Sequence, residues 1–241
     1  MGKLAKQPGV FLTAEWRNLL MLNYVVDPSL LKRFVPAGTE LDEFEGKTYV
    51  SLVGFEFNRT RVCGLPMPFH QAFEEVNLRF YVKRSLKRGV VFIRELVPKF
   101  AVAAIARFAF NENYSSVPMS HLIETSADGA VAEAEYAWNW GKEQFAMRVE
   151  TEGASFLPPD GSASQFITEH YWGYAAQPDG GCLEYEVQHP RWNVWKAKAA
   201  SFTGNAVHLY GDKLAQILMH DPDSAFLADG SPVTVYEGRR I

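Results

Sequence analysis

Short segments of alternating apolar and polar residues dominate the pattern along this chain. Glycine and proline interrupt them about every 10–15 residues, which is typical of β meanders. The pattern predicts strands over residues 48–58, 73–84, 89–97, 115–125, 130–140, 144–152, 166–175, 182–189, 193–203 and 233–237. Two of the predicted turns lie at 127–129 and 141–142. We therefore expect a mainly β (α+β) protein built on antiparallel strands.

Three segments depart from the β pattern. Asp27 and Pro28 precede Ser-Leu-Leu-Lys-Arg-Phe, which indicates a helix cap, a proline in the first turn and a short helix. Residues 98–110 begin with proline, are rich in alanine and lack alternation, so they predict a buried helix. A second short helix is expected near 211–219. Strands in such excess over helices favour a closed or nearly closed sheet with a few peripheral helices.

The predicted strand at 73–84 places a row of polar side chains on one face. Successive side chains of a strand point to opposite faces, so Glu75, Asn77, Arg79 and Tyr81 share a face at intervals of about 7 Å. If this face lines a cavity, the row needs partners or a polar ligand. The alternative is a solvent-exposed face with ordinary cross-strand charges.

Arg107 is a second candidate. It lies among alanine, isoleucine and phenylalanine on the predicted helix, so we expect it to be partly buried. A buried guanidinium needs an anion, which could be Glu75, Glu95 or a bound substrate. The alternative is a structural salt bridge.

Aromatic residues and histidines cluster at 168–174 and 189–195. In a strand, His170 is expected to be a hydrogen-bonded structural residue, whereas His189 is a candidate for the pocket. The six histidines do not have the spacing of a metal site, and no nucleotide-binding or nucleophile motif is present. We therefore expect no metal and no cofactor.

Composition narrows the class of protein. The chain has 241 residues, 47% of them hydrophobic, which is enough for one substantial core, so we expect residues 1–241 to form a single domain. The net charge of -4 does not suggest nucleic-acid binding. Cys63 and Cys182 are expected to be free thiols. Neither a signal peptide nor a membrane span is apparent, which predicts a cytoplasmic protein without a membrane partner.

The order of several motifs resembles an uncharacterised bacterial family, the YqjF-like proteins. The motifs that carry this resemblance lie at 16–28 with 34–42, at 75–82, at 106–107 with Tyr114, and at 168–171 with 189–192. They span nearly the whole chain, and in combination they are fairly specific.

That family is similar to the acetoacetate decarboxylase superfamily, which implies a cone-shaped antiparallel β barrel around an active site. In the decarboxylases a lysine forms a Schiff base with a β-keto acid, and a second lysine lowers its pKa. The corresponding stretch here runs from Arg107 through Tyr114 to Met119 and Ser120, so both lysines are absent. The resemblance therefore implies no imine-forming decarboxylation, and it places Glu75 at the position of a strand glutamate of the decarboxylases.

These observations leave several functions open. The first is a binding protein for a small organic acid, paired by Arg107 or Arg79 and oriented by Asn77 and Tyr114, with Met119 and His189 also in the pocket. The second is a lyase, hydrolase or isomerase.

In the second case Glu75 is the acid or base, assisted by Tyr114 or His189. The third possibility is a structural or interaction protein with a packed interior. Assembly into a homo-oligomer stays open in each case.

Overall fold

A computed structural model describes residues 8–126 and 130–241, and within them the protein is mainly β. The turn expected at 127–129 lies outside the described residues. The strands are β1 (Val10–Val26), β2 (Glu40–Leu41), β3 (Thr48–Val62), β4 (Leu65–Pro66), β5 (Phe73–Arg84), β6 (Lys87–Val97), β7 (Tyr114–Ser116), β8 (Met119–Thr125), β9 (Val131–Trp140), β10 (Glu143–Phe156), β11 (Trp172–Ala176), β12 (Cys182–Gln188), β13 (Val194–Thr203), β14 (Ser224–Tyr236) and β15 (Arg239–Arg240). The helices are α1 (Phe100–Phe110), α2 (Ala163–Thr168), α3 (Val207–Tyr210) and α4 (Asp212–Leu218), with short 3-10 turns at Pro28–Leu30 and Lys32–Phe34.

Seven of the strands form a closed ring. Neighbouring strands pair in the order β12, β11, β6, β5, β3, β1 and β14, and β14 pairs again with β12 through Val187 and Val235. Most pairings are antiparallel, while β6 pairs in parallel with both β11 and β7. The strands β13, β10, β9 and β8 continue the sheet from β14 and do not take part in the ring.

Both faces of the ring are buried, one in an apolar core and the other in a cluster that also contains buried polar side chains. On β5, Val76 and Leu78 pack into a core shared with β8–β10, α3 and α4. Tyr136 of β9 belongs to this core and lies against Gly54 of β3, where an added Cβ would come within 2.6 Å of the tyrosine ring. The opposite face of the ring packs into a second, aromatic cluster that includes Phe55 and Trp192.

Three predicted elements are wrong in part. The strand predicted over 115–125 is divided into β7 and β8 by residues 117–118. The pattern places a strand over 166–175, but residues up to Thr168 belong to α2, and the strand β11 begins only at Trp172. The Ser162 hydroxyl accepts a hydrogen bond from the backbone N–H of Gln165 and so caps this helix. The strand predicted over 233–237 belongs to β14, which begins well before the expected position, at Ser224, because it pairs with β1 from Ser224 to Tyr236.

The helix expected over 98–110 is confirmed, but the expectation that it is buried is wrong. Phe100 and Phe108 are 71% and 94% exposed, and in α1 only Ala103 and Phe110 are buried. Arg107 is also exposed, which contradicts its expected partial burial. An alanine-rich helix is apolar on every face, so its composition does not reveal which face packs.

Cys63 and Cys182 are both free thiols, as expected. Among the described helices, none is both long and apolar enough to cross a membrane.

Candidate functional site

The face of the ring that packs into the aromatic cluster borders a cavity of about 120 Å³ beneath α1. Most of the wall is apolar and aromatic, and α1 contributes Val102, Ile105 and Ala106. A small cavity with an apolar wall and a few polar groups is the usual form of a small-molecule site. The polar groups of this cavity fall into an acidic end and a basic end.

Three glutamates from different parts of the chain meet at the acidic end. Glu75 lies on β5, and Glu95 lies on the neighbouring strand β6, directly opposite Asn77 in the register. Glu112 follows the left-handed Asn111 (φ 59°), which ends α1 and turns the chain back toward the cavity.

Hydrogen bonds join these glutamates to two tyrosines and an amide. Asn77 Nδ2 donates to Glu75 Oε1 at 2.9 Å, and the Tyr114 hydroxyl donates to Glu75 Oε2 at 3.1 Å. The Tyr185 hydroxyl donates to Glu112 Oε1. The side chain of Glu95 is close enough to Tyr114 and Glu112 for both to shift its pKa. The acidic end is therefore one electrostatically coupled cluster.

Burial raises the pKa values of all three carboxyls, and neighbouring carboxylate charges raise those of Glu75 and Glu95 further. Desolvation is the largest cause in each case, and it raises the pKa of Glu75 and that of Glu112 to about 7. Burial, followed by the charges of Glu112 and Glu75, raises the pKa of Glu95 well above its ordinary value. The cluster therefore holds protons near neutral pH, and Glu75 and Glu112 can exchange them there.

Arg79 forms the basic end. Its side chain is buried, with 8% of the residue exposed, and Nη2 donates to the Ile167 carbonyl at 3.4 Å and approaches Met21 Sδ at 3.8 Å. In the part of the chain that the structure describes, its Nε has no hydrogen-bond partner. Nor does any described carboxylate lie within 4.0 Å of the guanidinium, so this buried charge has no ionic partner of its own.

Two histidines lie close to Arg79 without adding positive charge. His170 stacks on Tyr81 at 4.5 Å between ring centroids, and burial lowers the pKa of His170 to about 4. His189 stacks on Trp192 at 4.2 Å, and burial likewise lowers its pKa. Both rings are therefore neutral near pH 7, which leaves Arg79 as the fixed cation of this end.

The structure brings together most of the residues singled out from sequence. Glu75, Asn77, Arg79, Tyr114 and His189 all line the same cavity. The polar row of β5 is thus buried rather than exposed to solvent. The functional roles of these residues stay predictions.

Arg107 and Met119 do not line this cavity. The Arg107 side chain lies on the exposed face of α1, where Nε donates to the Ala103 carbonyl at 3.3 Å. Met119 begins β8, pairs with Trp138 and borders a separate surface depression. Neither residue is therefore in a position to contact a ligand held between Glu75 and Arg79.

Sequence reasoning did not assign a pocket role to Glu95, Glu112, Tyr185 or His170, all of which line the cavity. The predicted strand over 89–97 contains Glu95, so a glutamate inside an otherwise largely apolar strand was the available signal. No comparable signal marks Glu112, which lies in a short polar turn and reaches the site through the tertiary fold.

The cavity wall also bears on cofactors and covalent chemistry. No lysine lines it within residues 8–126 and 130–241. Over the same described ranges, no group of three or more His, Cys, Asp or Glu side chains is arranged to hold a metal ion.

Comparison with solved structures places the fold in a known class. An acetoacetate decarboxylase-like enzyme from Sphingomonas wittichii RW1 matches 96% of this chain and 93% of its own, with a TM-score of 0.69 and 12% identity. Acetoacetate decarboxylase from Legionella pneumophila matches 97% and 88%, with a TM-score of 0.68 and 12% identity.

The enduracididine biosynthesis enzyme MppR, solved with pyruvate, matches 99% of this chain and 93% of its own, with a TM-score of 0.66 and 13% identity. The chain therefore has the acetoacetate decarboxylase-like fold.

Sequence comparison identifies the family. The profile of DUF2071, described as an uncharacterized conserved protein, matches residues 13–232, and this chain belongs to that family. The uncharacterized protein YqjF of Bacillus subtilis (strain 168) is 27% identical over 203 residues, which cover 83% of this chain and 82% of YqjF. The resemblance to YqjF-like proteins is thereby confirmed.

Proposed function

We propose that the cavity binds a small organic anion, such as a carboxylate, through Arg79. The observation that carries this proposal is the buried guanidinium that lacks a carboxylate partner among the described residues. A buried charge is costly unless it is paired, and arginine is well suited to carboxylates because its fork of donors matches their two oxygens. A bound carboxylate supplies the missing partner. That a protein of the same fold was solved with pyruvate supports this class of ligand.

In this proposal the ring of strands is the wall of a cone-shaped barrel, and residues 1–241 form one domain around it. In this proposal, a ligand in the cavity does not form a Schiff base with the protein. A Schiff base needs an amine, and the described wall of the cavity contains no lysine. Met119, at the position of a decarboxylase lysine in the sequence comparison, lies outside the cavity and contributes no amine.

Substituting Arg79 with methionine is expected to abolish ligand binding, because methionine fills similar space without charge. We expect saturating pyruvate, at about 100 times its dissociation constant, to stabilise the wild type by about 2.7 kcal/mol. This corresponds to a rise in Tm of about 5–10 °C for a chain of this size. Differential scanning fluorimetry should detect no such rise for Arg79→Met.

The matched control is Arg107→Ala, which removes an exposed guanidinium outside the cavity and should keep the full shift. Circular dichroism verifies that both variants are folded. An equal shift in Arg79→Met and wild type contradicts the role of Arg79. If the wild type shifts with none of a panel of short mono- and dicarboxylates, the binding proposal itself is wrong.

Glu75 supports a second candidate function, proton transfer to or from a bound oxo acid. Its carboxyl lines the cavity, is held by Asn77 and Tyr114, and has a pKa raised by burial to about 7. A general acid or base is most effective when its pKa lies near the working pH. The carboxylate form can remove a proton next to the ligand's carbonyl group, and the resulting acid can return one.

Deuterium exchange into the methyl group of pyruvate, followed by proton NMR in heavy water, tests this second function. We expect the wild type to accelerate the exchange and Glu75→Gln to lower the rate by about 10²-fold or more. Glu74→Gln removes a carboxylate from the opposite face of the same strand and should keep the wild-type rate. If Glu75→Gln keeps the full exchange rate, or if the wild type does not accelerate the exchange, the proton-transfer function is contradicted.

A further inference from the structure

The polar atoms that lack partners differ in kind between the two ends of the cavity. At the acidic end, the unpartnered atoms of the described residues include Asn77 Oδ1, which is an acceptor, and Glu95 Oε2, which is an acceptor when Glu95 is ionised. At the basic end, the unpartnered atoms include the donor Arg79 Nε and His170 Nδ1, which donates or accepts according to the tautomer. All four residues line the cavity, and each is at least nine-tenths buried. Buried polar atoms normally have hydrogen-bond partners, so these atoms indicate what a ligand offers.

We propose that the natural ligand is zwitterionic, with an anionic group at Arg79 and a protonated nitrogen at Asn77, Glu95 and Glu112. This inference rests on the proposed binding function and specifies its ligand class as amino acids or similar amino-substituted acids. A carboxylate accepts hydrogen bonds from the guanidinium, while an ammonium group donates several to the acceptors at the other end.

The orientation of Asn77 supports a ligand that donates hydrogen bonds. Its amide nitrogen is committed to Glu75 Oε1 at 2.9 Å, which fixes the amide oxygen as the free atom. The register places Glu95 directly opposite Asn77 on the adjacent strand. The two unpartnered acceptors therefore come from neighbouring positions, and one ligand nitrogen can serve both.

The three glutamates of the acidic end also favour a ligand with a protonated nitrogen. Glu75, Glu95 and Glu112 influence one another, yet within the described residues no lysine or arginine lies within 4.0 Å of any of them. Burial and the closeness of the three carboxyls keep this cluster partly protonated near neutral pH. A ligand ammonium group favours the ionised form by supplying the missing positive charge.

The spacing along β5 sets the length of the ligand. Arg79 and Asn77 lie two residues apart on one face of the strand, which separates their backbones by about 7 Å. A register shift between Leu78 and Arg79 pairs Arg79 with Phe92, whereas Asn77 stays opposite Glu95. The two ends are thus far enough apart for a chain of a few carbon atoms between the anionic group and the nitrogen.

Isothermal titration calorimetry with matched probes tests this inference on the full chain. The pairs are butanoate with 4-aminobutanoate, pentanoate with 5-aminopentanoate, and hexanoate with 6-aminohexanoate. We expect the amino acid of at least one pair to bind about tenfold more tightly than its parent acid, because it adds charge-assisted hydrogen bonds. In Glu95→Gln and Glu112→Gln the ratio of the two affinities should fall towards one.

The outcomes separate this inference from the proposed function. If the parent acids bind and no amino acid binds more tightly, the zwitterionic ligand is excluded while anion binding at Arg79 stands. If neither series binds the wild type, the binding function itself fails. A preference that persists in both glutamine variants also overturns the inference. Glu112 is only partly buried, so Glu112→Gln keeps the test decisive if Glu95→Gln does not fold. Glu74→Gln, on the opposite face of β5, should keep the wild-type ratio.

Discussion

Raising the pH from 5.5 to 8 is expected to destabilise the protein by at least about 2–3 kcal/mol. Glu75 and Glu112 have pKa values of about 7 in the folded protein, above the ordinary value of 4.5. As the pH rises from 4.5 to about 7, these two glutamates lose their protons in the unfolded chain before they lose them in the folded protein. The stability that the protonated carboxyls confer at low pH is therefore lost as the pH rises through about 7.

The magnitude follows from opposing contributions. Each of these two carboxyls lowers the free energy of unfolding by about 2 kcal/mol over this range. Glu95 acts in the same direction, since its pKa is also raised by burial. His170 acts in the opposite direction, because its pKa is lowered to about 4 and it favours the folded state above about pH 6.5. Its contribution, about 1.4 kcal/mol, offsets only part of the loss.

Urea unfolding at the two pH values measures this difference. Glu112→Gln replaces one titrating carboxyl by a neutral amide of the same shape, so it should reduce the pH dependence by about 2 kcal/mol. Glu74→Gln should leave it unchanged, because Glu74 lies on the other face of β5. Greater stability of the wild type at pH 8 than at pH 5.5 would show that the glutamates of the acidic end do not keep raised pKa values in the folded protein.

Substitution of Glu184 by alanine is expected to cause the largest loss of stability of any single change discussed, about 3 kcal/mol. The Glu184 side chain is fully buried on β12, yet it forms ion pairs with Arg84, Lys87 and Arg239. Its carboxylate accepts hydrogen bonds from Lys87 Nζ at 2.6 Å, from Arg239 Nη2 at 2.7 Å and from the Tyr174 hydroxyl at 3.3 Å. Burial opposes its charge, but these hydrogen bonds outweigh burial and hold the pKa of Glu184 below its ordinary value.

Removal of the carboxylate leaves the cations without their shared anion. Lys87 and Arg239 are partly exposed and can turn towards water, which limits the loss to the lower end of the range for buried ion pairs. Thermal unfolding should show Tm lowered by about 6–12 °C. Glu186→Ala, two residues further along β12, is the matched control and should shift Tm far less. Equal shifts in the two variants would show that the buried ion cluster does not stabilise the fold.

The sequence predicts this protein well where structure depends on local spacing. The alternation along β5 is a local property, so the common orientation of Glu75, Asn77 and Arg79 follows from the sequence alone. The strand bounds of β5 and β6 are close to those expected, because turn residues separate them.

Long-range packing could not be predicted in the same way. Glu112 reaches the cavity only because Asn111 adopts a left-handed conformation and because β7 pairs in parallel with β6. The position of Arg107 depends on which side of α1 faces the cavity, and a helix that is apolar all round gives no sign of this. The site was thus predictable where it follows one strand and unpredictable where it depends on several elements.

The pairing of β1 with β14 also has a consequence for the order of events during synthesis. Leu20 pairs with Leu227 and Leu12 with Val235, so one edge of the first strand is completed only by residues near the end of the chain. Until a ribosome has released residues 224–236, that edge stays open and the ring cannot close. Contacts so distant in sequence slow folding and leave an unpaired strand available for aggregation. A nascent chain of this protein therefore exposes an unpaired edge of β1 until residues 224–236 have left the ribosome.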